Sequence, residues 1–193
     1  MNKRSVLAIT LLLAAAATPC LAGEPPSEAD MAAAMKAISP GEHHEHLAAL
    51  EGKWTARVSS WMDPTAKEPM VSTGTSDFSW IMGGRYLQQD YKGSFMGMPF
   101  SGRGLSGYDN AAGHYVTTWV DTMGTGILYE TGGCSNGGKH FEMSGEQVDP
   151  MSGTKMKIRS VHTIESADRN VLVMYVTSPG MEERKVMEIV YTR

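Results

Sequence analysis

Residues 155–164 alternate without a break: Met156, Ile158, Ser160, His162 and Ile164 fall on one side of an extended chain, and Lys155, Lys157, Arg159, Val161 and Thr163 on the other. Successive side chains of a strand point to opposite faces. The pattern therefore predicts a mostly apolar inner face that carries His162 inward, and a charged outer face. The C-terminal run repeats it, with Met187, Ile189 and Tyr191 opposing Val186, Glu188 and Val190. Other short runs rich in β-branched and aromatic residues predict about ten strands in all: 53–62, 70–81, 85–93, 101–108, 114–122, 125–131, 139–146, 154–165, 170–177 and 184–192. The segments between them, MDPTAKEP, MGG, YDNAAG, SNGG, DPMSG, SADR and SPGM, are short and turn-like. Such turns join antiparallel neighbours, whereas parallel strands need crossovers of about a dozen residues or more. The expected fold is all-β, an up-and-down antiparallel barrel whose closure removes exposed edges.

Helical spacing occurs only near the start. His44, Leu47 and Leu50 lie three apart and share one side of a helix over 41–50 that Gly52 ends. Ahead of it, GEPPSEAD is a polar, proline-bearing linker, and MAAAMKAI has helix-forming composition with little to bury. Residues 1–22 begin with Lys3 and Arg4, run apolar from Val6 to Ala17 and end in small residues, which predicts an export signal cleaved after Ala22. The expected organisation is a leader at 1–22, a linker with a peripheral helix at 23–40, and one barrel domain at 41–193. A periplasmic or secreted location follows from the leader.

Charge and cysteine content narrow the function. The net charge of −4 becomes two units more negative once Lys3 and Arg4 leave, so nothing attracts the chain to a phosphate backbone and nucleic acid is not an expected partner. No later run is long and apolar enough for a membrane helix. Cys134 is the one cysteine beyond the leader, which excludes an intramolecular disulfide. It sits in TGGCSNGG, read as a turn, as a tolerated loop residue.

The strand YVTTWVDTMGTG carries the strongest functional candidates, because Tyr115, Thr117, Trp119, Asp121 and Met123 share a face by alternation. An aspartate beside Trp and Met is costly to bury without a partner. Asp121 therefore either hydrogen-bonds Arg or Tyr groups structurally or orients a ligand. Together with His162 it offers an acid/base pair for proton transfer or hydrolysis, though no Ser or Cys nucleophile completes a triad. Arg85, Tyr91, Tyr108 and Tyr175 can add polar fixing groups to an apolar pocket for a small ligand. His43, His44 and His46 invite a metal reading, but HHEH does not fit H-E-x-x-H and no second ligand pair follows, so no metal site is assigned. The fifteen methionines are dispersed and read as adaptable packing around a core or pocket. GRGLSG matches a dinucleotide fingerprint by letter only, since the turn YDN follows it where a helix is needed; its glycines read as places for a strand to bend or approach a neighbour.

The succession PGEHHEHLAALEGKW, WMDP, MGGRYLQQDYKGSFMGMPFSGRGLSGYDN, YVTTWVDTMGTG, SGEQVDPMSGTK and MEIVYTR resembles bacterial secreted domain-of-unknown-function family 1579. The resemblance covers 40–193. It implies a lipocalin-like, or calycin, barrel with no established activity. Gly52-x-Trp54 is similar to the Gly-x-Trp that opens the first lipocalin strand, where Trp plugs the closed end beneath an Arg; Arg193 is the implied partner. The family helix carries a single His, matching His44, so that His43 and His46 are additions. Haem or metal binding through His162 or His44, as in some calycin relatives, is a third reading beside ligand binding and enzymatic proton transfer. The cofactor and oligomeric state stay open.

Overall fold

The computed structural model describes residues 26–61, 65–149 and 152–193; the expected leader lies outside them. Ten strands follow two short helices: β1 (Gly52–Ser60), β2 (Met70–Ile81), β3 (Tyr86–Phe95), β4 (Met98–Asp109), β5 (His114–Asp121), β6 (Leu128–Ser135), β7 (His140–Val148), β8 (Lys155–Ser166), β9 (Arg169–Thr177) and β10 (Arg184–Thr192). Each pairs antiparallel with its predecessor, and β1 pairs with β10 to close the barrel. At this seam Ala56 lies opposite Tyr191 and Val58 opposite Ile189, which keeps the apolar positions of both strands on the inner face.

Two strand ends differ from the sequence expectation. The segment SFMGMPF falls between the expected strands 85–93 and 101–108, yet β3 and β4 run through it and Phe95 pairs with Met98. Only Met96 and Gly97 turn, at φ of 51° and 78°. Two successive left-handed residues match the twist of a hairpin, but a methionine there is uncommon. Cys134 is likewise not in a turn. It lies half-buried near the end of β6, and the reversal belongs to Asn136, Gly137 and Gly138, all left-handed.

The glycines of GRGLSG serve close approach to a neighbour, one of the two roles expected of them. A Cβ on Gly102 would run into the Trp119 indole, and one on Gly104 would crowd the same ring, so these positions make room for an inward tryptophan on the neighbouring strand. Gly74 and Gly93 do the same for Tyr91. Small residues in the wall thus let large rings lie flat against it, which keeps the interior from filling.

One end of the barrel is shut. Helix α1 (Glu28–Ala37) carries a Ser27 capping box and buries none of its residues, as a peripheral helix should. Arg85 Nε donates to Ile38 O at 3.1 Å, and Asn110 Nδ2 to Ala37 O and Ser39 O at 2.9 Å each, fixing the chain that follows. Helix α2 (Glu42–Glu45) continues into a 3₁₀ turn (His46–Leu50), and His44, Leu47 and Leu50 are buried on the shared side. Leu47 and Leu50 meet Trp54, Phe78, Leu87, Tyr115, Phe141 and Tyr191 in the main core cluster. Trp54 donates Nε1 to Leu50 O at 2.7 Å, and the Arg193 guanidinium lies 4.1 Å from its ring centroid. Arg193 also donates to Glu51 O at 2.7 Å and Ala167 O at 2.9 Å, binding the two ends of the barrel sequence together.

Candidate functional site

Above that plug lies a cavity of about 960 Å³, at the upper end of small-ligand pockets. Its floor is made by Leu50, Phe78, Tyr115, Phe141 and Tyr191. Alternation explains the walls: Leu172 and Met174 of β9, Met187 and Ile189 of β10, and Ser160 and His162 of β8 point inward. Towards the far end, Met70, Val71, Met96 and Met123 both line the cavity and are about half or more exposed, so the cavity opens to solvent there. A second apolar cluster of Leu128, Ile158, Val176 and Val186, with Met156, Met174 and Met187 packed on it, supports that side.

Polar groups interrupt this lining at two levels. Near the floor, Gln89 Nε2 donates to Ser76 Oγ at 2.7 Å and to Tyr191 Oη at 3.2 Å. His162 donates Nε2–H to Asn170 Oδ1 at 2.6 Å, which leaves Nδ1 as an acceptor. Burial holds the His162 pKa below the ordinary histidine value, so the ring is neutral near pH 7. Asn170 is fully buried and its Nδ2 has no hydrogen-bond partner.

Higher on the wall, register aligns Ser106, Thr117 and Glu130 across β4, β5 and β6, and all three face the cavity. Glu130 is only 6% exposed. Burial pushes its pKa up, and the neighbouring Ser160 and Thr117 hydroxyls pull it partway back. Neither Glu130 Oε1 nor Ser160 Oγ makes a hydrogen bond of acceptable geometry. The side chain lies over Gly145 of β7, where a Cβ would crowd Glu130 Cγ as well as the Tyr129 carbonyl. Sequence reading missed Glu130. The available signal was the alternation of Leu128 and Glu130 inside the expected strand 125–131, which puts an acid on the same face as an apolar residue.

Of the residues anticipated for ligand contact, Tyr91, Trp119, Asp121, Met123 and His162 line the cavity. Three do not. Arg85 sits in the β2–β3 turn and donates to Ile38 O and Met82 O. Tyr108 is drawn under the helical lid, stacked on His43 at 4.0 Å between ring centroids. Tyr175 falls outward because Met174 points in, and its ring carries the Arg159 guanidinium at 4.2 Å, itself held by Glu142 and Glu183.

No hydrogen bond joins Asp121 to His162. Asp121 accepts from Trp119 Nε1 and from the Met123 backbone N–H, each at 2.8 Å, and so ties the end of β5. Its partners are an indole and its own turn, not the Arg or Tyr groups expected. The three neighbouring histidines diverge as well. His44 Nδ1 accepts from Gly41 N–H at 3.2 Å, His46 Nδ1 meets Tyr115 Oη at 2.7 Å, and His43 stacks on Tyr108. Among the described residues no group of three His, Cys, Asp or Glu side chains converges on a point. A haem or metal at His162 would have Nδ1 alone to bind, since Nε2 holds Asn170.

Fold and cavity define a hollow, ten-stranded antiparallel barrel closed at one end. The chain belongs to the family described as Protein of unknown function (DUF1579), whose model matches residues 39–193. Among solved structures it is similar to the crystal structure of Rv2717c from M. tuberculosis, at 16% identity and a TM-score of 0.58, over 80% of this chain and 99% of that one. That likeness concerns the fold. No curated protein matches the chain in sequence.

Proposed function

We propose that this is an exported, calycin-like binding protein whose barrel holds a small, largely apolar ligand. The observation that carries the reading is the cavity itself. At about 960 Å³, with Leu, Met, Phe and Trp walls, a polar minority made mostly of hydroxyls and an opening rimmed by methionine, it has the make-up of a small-molecule site. Among the described residues, no hydroxyl or thiol of the lining is hydrogen-bonded to His162, which favours holding a ligand over converting one. Methionine at the mouth suits a ligand of variable shape, because its unbranched thioether chain repacks easily. Export rests on the leader pattern of residues 1–22.

Native mass spectrometry of residues 23–193, purified after export without a His tag or chelator, tests this directly. A stoichiometric organic adduct that dissociates on collisional activation is the expected result. A bare mass, together with failure of any neutral apolar dye to bind, would overturn the reading.

A further inference from the structure

The cavity contains one acid that nothing inside it answers. Glu130 is 94% buried by the complement of its 6% exposure, faces the lumen, and presents an unpaired Oε1. Among the described residues no lysine or arginine lines the cavity, and the single imidazole there, His162, is neutral. A buried polar atom without a partner costs about 1–3 kcal/mol. An isolated buried carboxylate costs more, so burial favours the protonated acid here, and a cation seated beside it would favour the carboxylate. The wall around it is shaped for a head group. Gly145 leaves the space over which the Glu130 side chain lies, and Thr117 and Ser160 bring hydroxyls from either side, with Ser160 Oγ also unpaired.

Resting on the binding reading above, we infer that the ligand is an apolar molecule ending in an amine, seated with its ammonium on Glu130 and hydrogen-bonded by Thr117 and Ser160. The apolar body then fills the space between the aromatic floor and the methionine mouth. A carboxylate-ended molecule such as a fatty acid is rejected by the same group, because it would meet Glu130 as a like charge or leave two acids to share one proton. The proton balance follows. At pH values where Glu130 is protonated in the free protein, a bound ammonium converts the carboxylic acid to carboxylate and one proton passes to solvent. Affinity for an amine therefore rises with pH until Glu130 is already ionised in the free protein.

The experiment is displacement of the neutral dye N-phenylnaphthylamine by decylamine, decanol and decanoate, on the mature protein and on Glu130→Gln. The expected order is amine over alcohol over acid, with the amine favoured over the alcohol by about tenfold or more. In E130Q, which keeps size and hydrogen-bonding capacity, that preference collapses and the pH dependence of amine binding disappears. His162, Asp121, Tyr91, Tyr115 and Tyr191 also titrate along the wall; a pH dependence that survives in E130Q would belong to them and would overturn the assignment. Equal binding of all three chains, or tightest binding of decanoate, would overturn this inference while leaving the binding reading intact. Failure of the dye itself to bind would remove both. Should E130Q not fold, the wild-type preference order and its pH dependence still decide.

Discussion

The two ends of the barrel are made of different materials. The closed end is built from rings and hydrogen bonds: Trp54 beneath Arg193, Tyr115 tied to His46 and to the His43 carbonyl, and Tyr108 stacked on His43. The open end is built from flexible aliphatic chains, with Met70, Met96, Met98, Met123 and Ile127 all substantially exposed. Aromatic groups with bonded polar tips hold one arrangement, while methionine accepts many. A barrel that plugs one end rigidly and leaves the other adaptable divides stability from access along its axis.

Breaking the rigid end should cost most. Trp54→Ala removes a ring that is 2% exposed and is expected to lower stability by about 3–5 kcal/mol; a urea midpoint unchanged from wild type would show that the plug does not bear on folding. Arg193→Ala deletes the guanidinium above Trp54 and its bonds to Glu51 O and Ala167 O, and should cost about 1–2 kcal/mol by the same measurement.

Titration separates the lid from the lumen with opposite signs. Burial, His43 and Arg85 hold His44 below its ordinary value of 6.5, so its contribution to stability is full above that pH and is lost as pH falls and the unfolded chain takes up the proton. Glu130 is raised above its ordinary value of 4.5, so its contribution is full below that pH and is lost as pH rises. Thermal melts should accordingly show His44→Gln gaining on wild type towards pH 5, and Glu130→Gln gaining on it towards pH 8. Parallel curves for either variant would mean that the group does not titrate differently on folding. At the mouth, Met96→Ser should move stability by less than about 0.5 kcal/mol, yet slow dye entry in stopped-flow mixing. A large drop in melting temperature would mark that turn as structural.

The barrel was legible because period-two alternation and short turns leave few other solutions. β8 and β10 face as their patterns require, and β2 and β10 begin and end where composition placed them. The site was less legible, for three local reasons. Alternation assigns a face but not a height, so Tyr108 turned out to serve the lid although its strand position is inward. A residue chosen for its type without an alternation count can fall on the wrong face, as Tyr175 did beside inward Met174. Lastly, a glycine-rich stretch reads as a turn even where a strand runs through it, which is why β6 was cut short of Cys134. Glu130 lay inside the expected strand 125–131 and was overlooked because alternation gives a side chain's face, not whether it finds a partner there.

The seam between β1 and β10 has a consequence in time as well as space. The other nine pairings join consecutive strands through local hairpins that form as soon as both arms exist. The seam brings Ala56 to Tyr191, nearly the whole length of the domain apart, and contacts of such separation form slowly. Trp54 is covered by Arg193, which directly follows β10. The outer edge of β1 and the face of Trp54 therefore stay open until β10 is in place, so closure waits on the strand farthest along the barrel sequence from β1.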